Sequence, residues 1–269
     1  MTSPEWIAHI QTLRAEELER VLKHYGRWFR GKDLLELGSG SGFQLKLLFS
    51  ICRSVAGLDI PTSGYREHRI AEVMEYDGKH IPFPDASFDI IFSSHVLQYL
   101  APQHELYGEM HRVLRPGGVA VHVVPTALWR FWSSVLHYPA KAQLILRKLF
   151  PGSSAGAGSG SPRTPAKSGR LRRALVNTLL LHRHGVQGNW FTEHFIFHSR
   201  SWRRRLARYG WTVERIVPLE LWYSGHGMIG RRFTVGGRSR VARILGSSAI
   251  TILARPAHNS SAPCSGTNF

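Results

Sequence analysis

"LELGSGSGFQLKL", residues 35–47, sets Gly38, Gly40 and Gly42 between an apolar run and a stretch with helical spacing. "DLLEL" (33–37) reads as a short buried strand, and Phe43 to Ile51 carries Leu45, Leu48 and Phe49 on one side of a helix. Strand, glycine turn and helix in that order lay bare backbone and free N–H groups against a ligand at the carboxyl edge of a parallel sheet. A nucleoside or nucleotide suits such a turn. The spacing is GxGxG, without the GxGxxG of dinucleotide-binding turns, which disfavours an oxidoreductase. Glu36 stands two residues before the first glycine, where a carboxylate matches a cationic amino group better than a pyrophosphate.

Outward from the turn, "SVAGLDI" (54–60), "AEVMEYDG" (71–78), "FDIIFSS" (88–94) and "GVAVHVV" (118–124) read as strands two to five. Asp59 ends the second about 20 residues beyond the loop, where a carboxylate can accept from both ribose hydroxyls. Asp77 ends the third, within reach of an exocyclic adenine amine. Leu106, Met110, Val113 and Leu114 keep helical spacing until Pro116-Gly117-Gly118 stops them. "WTVERIV" (211–217) and "SSAITILARP" (247–256) supply a sixth and a final strand. Strands alternating with helices predict a Rossmann-like three-layer α/β/α sandwich whose seven-stranded sheet is mostly parallel, with the last strand antiparallel.

The expected organisation is an N-terminal helical region over 1–30, broken near Thr12, and a ligand-binding core over 31–126. A basic and aromatic insertion over 127–196 follows, with linker composition at 151–170. Residues 197–256 complete the sheet, and 257–269 form a flexible tail. Cys52 and Cys264 lack metal-ligand spacing, so no metal site and no disulfide framework is expected. The N-terminus has no basic-then-apolar leader, and no run reaches about 18 uninterrupted apolar residues. A cytoplasmic protein, peripheral to a membrane at most, is the expectation.

"LLELGSGSG", "GLDI", "YDGKHIPFPDASFDIIFSSHVLQYL" and "HRVLRPGGVAVHVVPT" together resemble class I S-adenosylmethionine-dependent methyltransferases, in particular the type-11 group that includes quinone-biosynthesis enzymes. The likeness covers roughly 33–126, with an echo in "FHSRSWRRRLARYGWTVERI" (197–216). It implies S-adenosylmethionine as cofactor, with Glu36, Gly38, Ser39, Gly40 and Gly42 at the methionine part. It also implies Asp59 and Ile60 at ribose and adenine, and Asp77 with Gly78 at the adenine amine. Ser93, Ser94 and His95 would line the site between cofactor and acceptor. The span from Asp59 to Asp77 is short for this group, which predicts an abbreviated helix there and an adenine side rebuilt by "PTSGYREHR" (61–69).

Methyl transfer from a sulfonium needs a base only where the acceptor must lose a proton, and His95 is the candidate for that base. His184, Asn189, Glu193, His194, Tyr223 and His226 are polar groups placed to meet an acceptor. The C-terminal half is similar to methyltransferases associated with bacterial surface polysaccharides, which ranks a small molecule, a glycan or a lipid-linked saccharide first among acceptors. RNA methylation and a catalytically silent scaffold that binds S-adenosylmethionine are the alternatives.

Charge divides the chain. Residues 1–127 hold 13 Lys+Arg against 15 Asp+Glu, so of the totals 35 and 18 the remainder holds 22 against 3, a net of +19. With the aromatics of 127–150, that excess suits an anionic membrane surface. Nucleic acid ranks lower, since no recognisable RNA-binding module accompanies it.

Overall fold

The computed structural model describes residues 4–100, 104–149, 184–224 and 233–257. Helix α1 (Pro4–Phe29) runs unbroken, in contrast to the expected break at Thr12. The Thr12 hydroxyl donates to the Ala8 carbonyl one turn back, which lets this residue stay within the helix. Leu13, Val21, Tyr25 and Phe29 are buried against the sheet, and Gly31, with φ of 67°, turns the chain into strand β1 (Asp33–Leu37).

The order continues with α2 (Phe43–Leu48), β2 (Ser54–Asp59), β3 (Met74–Glu75), β4 (Phe88–Ser94), α3 (His104–Val113) and β5 (Leu114–Pro125). Then come α4 (Ala127–Leu149), α5 (Glu193–Ile196), α6 (Ser199–Arg208), β6 (Trp211–Pro218), α7 (Val235–Leu245) and β7 (Ala249–Pro256). The seven strands lie in the order β3-β2-β1-β4-β5-β7-β6. Strands β1 to β5 pair in parallel, and β7 pairs antiparallel with both β5 and β6. The chain forms the expected Rossmann-like sandwich.

Both sheet faces are covered, which is why the inner strands read as apolar runs instead of alternating. Along β4, Ile90 and Phe92 pack towards α1 and α2, while Ile91 packs on the opposite side with Met110 of α3 and Trp202 of α6. Trp202 is fully buried, and its indole N–H donates to the Pro125 carbonyl at 3.2 Å, fastening α6 to the end of β5.

Local expectations shift in four places. Helix α2 ends at Leu48, leaving Phe49 exposed rather than on the buried side. Strand β3 shrinks to two residues, so Asp77 lies beyond it. Strand β5 starts at Leu114, before the Pro-Gly-Gly turn. Helix α7 has no counterpart in the sequence reading: its two glycines weaken helix propensity, but the Thr234 hydroxyl caps it by accepting from Gly237 N–H, and buried Arg238 donates to the Trp222 carbonyl. The expected linker at 151–170 lies outside the described residues.

Candidate functional site

The carboxyl ends of β1, β2 and β4 converge on one edge, as their parallel register requires. Gly38, Gly40 and Gly42 all take positive φ, at 70°, 56° and 74°. A Cβ on Gly38 would meet Val96 Cγ2 at 2.3 Å, so both conformation and space demand glycine there. Gly38 and Ser39 donate their N–H groups to the Leu58 carbonyl at 2.7 and 3.0 Å, tying the turn to β2, and the Ser39 hydroxyl donates to the Glu36 carbonyl at 3.0 Å. Ile70 N–H donates to the Ser41 carbonyl, and Tyr65 lies over Gly40. The 61–69 stretch, with one 3₁₀ turn at Arg66–His68 in place of a full helix, thus reaches the glycine loop.

Glu36 is 2 % exposed, and its Oε2 is buried without a hydrogen-bond partner. Burial pushes this carboxyl up to about 8, with Ser39 opposing and the nearby Asp59 charge adding to the rise. A buried, unpaired carboxyl oxygen at a glycine turn fits an incoming ammonium group. Asp59 is buried too, and one of its oxygens accepts from Ile60 N–H at 2.9 Å. Ile60 is exposed, and Gly78, with φ of 82°, lies beside it, a Cβ there meeting Ile60 Cγ2 at an ordinary contact distance of 3.4 Å. The two provide an apolar ledge suited to a planar base.

Asp77 departs from its expected place. Its Oδ1 accepts from Lys79 and His80 N–H, both at 2.7 Å, and its Oδ2 meets His80 Nδ1 at 2.7 Å. Those bonds, the His80 side chain foremost, hold the carboxyl far below its ordinary value. An adenine amine would have to share oxygens already engaged in this turn. Ser93 also departs: it is fully buried and bonded to His122 Nδ1 at 2.8 Å across β4 and β5, so it does not line the site. The Ser94 hydroxyl is buried without a partner.

His95 follows β4 with φ of 56°, a conformation rare for a side-chain-bearing residue and held by its N–H donating to the Val123 carbonyl. Its Nε2 lies 3.0 Å from Glu17 Oε1 and 3.2 Å from the Tyr223 hydroxyl. Glu17 is fully buried on α1 and ion-paired with Arg14. Although burial favours its neutral form, the charges of Arg14 and His95 draw its carboxyl down to about 2. Burial, and then Arg14, push the His95 imidazole below its ordinary value, while Glu17 works against them. Burial and then the Glu17 charge raise Tyr223 well above the ordinary phenol value. In the tautomer whose Nε2–H donates to Glu17, Nδ1 keeps the lone pair.

Tyr223 and His95, far apart in sequence, are thereby brought together. His184 joins the same edge: its Nε2 is 2.9 Å from the Tyr99 hydroxyl and its ring packs on Trp129. Burial, then the charges of His95 and Arg130, press it down to about 4. Glu193 turns inward. It is fully buried, Oε1 accepting from His184 and Gly185 N–H at 2.6 and 2.7 Å and Oε2 paired with Arg130 at 2.9 Å, so it shapes the turn. Asn189 Oδ1 accepts from Phe191 and Thr192 N–H, an internal brace for the segment entering α5. His194 packs beside Phe131 at 6.4 Å between ring centroids. His226 lies outside the described residues.

Glu17 and Arg14 were missed in the sequence, yet a signal was present. Leu13, Glu17, Val21 and Tyr25 recur every four residues, so a carboxylate occupies a core position of an otherwise apolar row. Arg20 of the same helix donates to the Leu219 carbonyl at 2.9 Å and to the Ser239 hydroxyl at 2.7 Å, fixing α1 against the C-terminal half.

Sheet order and glycine turn together define a Rossmann-like α/β/α fold with a ligand-sized edge at the ends of β1, β2 and β4. Residues 35–122 match the family model described as a methyltransferase domain. A Mycolicibacterium smegmatis protein named "Probable S-adenosylmethionine-dependent methyltransferase" is 36 % identical over 107 residues, covering 36 % of this chain and 40 % of that protein. Malonyl-[acyl-carrier protein] O-methyltransferase of Serratia marcescens is 32 % identical over 93 residues, covering 33 % of this chain and 36 % of its own length. These matches span about two fifths of the relatives' own length. A chain from the complex of the Haloferax volcanii Trm112 methyltransferase activator with a methyltransferase shares the fold with a TM-score of 0.51 at 14 % identity, covering 97 % of this chain and 100 % of that one.

The raised Glu36 pKa has a stability consequence. In the unfolded chain this carboxyl ionises near its ordinary value of 4.5, and in the folded chain near 8. The folded state therefore binds the extra proton between those values, and stability falls as pH rises from about 4.5 to about 8. Glu36→Gln is expected to raise the melting temperature at pH 8 relative to the parent, with little difference at pH 4, while weakening any ligand that brings an ammonium group. Thermal melts at the two pH values check this; equal melting at pH 8 contradicts a buried, reluctant carboxylate.

Proposed function

We propose that the chain is an S-adenosylmethionine-dependent methyltransferase acting on an O–H or N–H group of a small-molecule, glycan or lipid-linked saccharide acceptor. The observation that carries this is the unpaired Glu36 oxygen at a glycine-only turn, with Asp59 on the adjacent strand end and the His95 network on the next. Glu36 and the Gly38–Gly42 backbone would hold the methionine end, Asp59 the ribose, and Ile60 with Gly78 the adenine. Bound there, S-adenosylmethionine supplies a sulfonium methyl group that an acceptor lone pair takes by in-line displacement.

The chain's own residues handle the proton. His95 Nδ1 accepts it from the acceptor, and the ionised Glu17 carboxylate at Nε2 orients the ring and stabilises the imidazolium that forms. Arg14 keeps Glu17 charged, and the Tyr99, His184 and Tyr223 side chains supply the polar wall around the acceptor. An acceptor that already offers a free lone pair needs none of this relay.

The test is transfer of a labelled methyl group from S-adenosylmethionine to a panel of lipid-linked saccharides, free sugars, small phenols and amines, and RNA. Labelled lipid-linked or small-molecule product supports the proposal. Label in RNA alone favours the nucleic-acid alternative, and tight S-adenosylhomocysteine binding without transfer to any class favours a silent scaffold.

A further inference from the structure

Four residues of α4, Leu128, Phe131, Val135 and Tyr138, are spaced three or four apart and are all exposed. They form one apolar stripe along the helix. The other side of α4 is occupied: Trp129 packs on His184 and Phe197, Arg130 pairs with Glu193, and the Trp132 indole donates to the Leu245 carbonyl at 3.0 Å. The stripe therefore faces away from the fold. It is extended sideways, since Phe131 meets His194, whose neighbour Phe195 is 63 % exposed and pairs with exposed Phe191 at 5.7 Å. At the other end Leu128 lies against Gly246, next to Ile244, which is 84 % exposed.

The sequence from α4 through α6 carries charge of one sign. Residues 128–213 contain 15 Lys or Arg and a single acid, Glu193, which is buried against Arg130. An ordinary solvated surface intersperses both signs. Nine of those cations fall within 140–183 of the sequence. Exposed arginines 200, 203, 204 and 208 follow on α6. A nucleic-acid backbone would match the charge but offers no place for exposed Leu128, Val135 and Ile244. An anionic bilayer accepts both, with apolar side chains at the acyl boundary and cations at the headgroups. No described helix is long and apolar enough to cross a membrane.

We infer that the exposed face of α4, with Phe191 and Phe195 beside it, docks on the surface of an anionic lipid bilayer. The opposite side of the same helix carries Trp129, which packs on His184 of the candidate acceptor site. Docking does not depend on methyl transfer and is tested apart from it.

The experiment is sedimentation of the full chain with vesicles of phosphatidylcholine alone or mixed with phosphatidylglycerol, at low and high salt, for the parent and for a Phe131→Ser/Phe195→Ser double variant. Both side chains are exposed, and unchanged melting and S-adenosylhomocysteine titration establish that the variant is intact. The expected result is retention on the mixed vesicles only, at least about tenfold weaker at high salt and about tenfold weaker again in the variant. Equal retention of variant and parent overturns the inference, because charge alone would then suffice. So does tighter binding to a single-stranded RNA than to the mixed vesicles, or a dimer that the double variant dissolves without altering vesicle retention.

Discussion

Asp59→Ala lowers affinity for S-adenosylmethionine and S-adenosylhomocysteine by roughly 100-fold or more in calorimetric titration, with NAD as the non-binding control. A ribose diol held by one carboxylate makes two charge-assisted hydrogen bonds, each worth about 1.5–3 kcal/mol, and every 1.4 kcal/mol is about a factor of ten. The loss should appear in binding and leave the fold intact. Among the described residues the Asp59 carboxylate accepts a local hydrogen bond, from Ile60 N–H, and its charge helps to push the Glu36 carboxyl up. Removing it relieves that repulsion. Unchanged affinity in a folded variant would take Asp59 out of the site.

His95→Ala lowers kcat by roughly 10²–10⁴-fold on any acceptor that must lose a proton, with the apparent affinity for S-adenosylmethionine unchanged. Glu17→Gln separates positioning from chemistry. Its carboxylate is the main influence holding the His95 imidazole up against burial and Arg14. Neutralising Glu17 therefore drives the His95 pKa further below 6.5, and the acidic limb of the pH–rate profile moves to lower pH as kcat falls. A proton-detected titration of His95 reads the same shift without any acceptor. A profile that stays in place would show Glu17 to be a packing residue, since a structural role alone would not move the titration.

The fold was legible because its signals are local. The apolar run of Asp33–Leu37, the glycines that follow it and the helical spacing of Leu45 and Leu48 each determine their own segment, and strand-helix alternation leaves few ways to assemble the rest. Glu36 and the glycine turn could be read for the same reason, as they lie within a few residues of each other. The His95 network could not. It joins α1, the end of β4 and the segment after β6, residues 78 and 128 positions apart, and spacing along the chain carries no record of such meetings. The partners of Ser93 and Glu193 could not be read either, because sequence marks a polar side chain but not its partner. His122 across the strand pair claims one, and Arg130 with the 184–185 turn claims the other. The turn at Asp77 is the same case on a smaller scale: His80, three residues on, folds back onto its carboxylate.

A crystal structure of the chain with S-adenosylhomocysteine should show the ligand's amino group hydrogen-bonded to Glu36, its ribose hydroxyls on Asp59, and its adenine against Ile60 and Gly78, with the sulfur facing the His95 side of the edge. A ligand bound away from the Gly38–Gly42 turn, with Glu36 still unpaired, would contradict that placement.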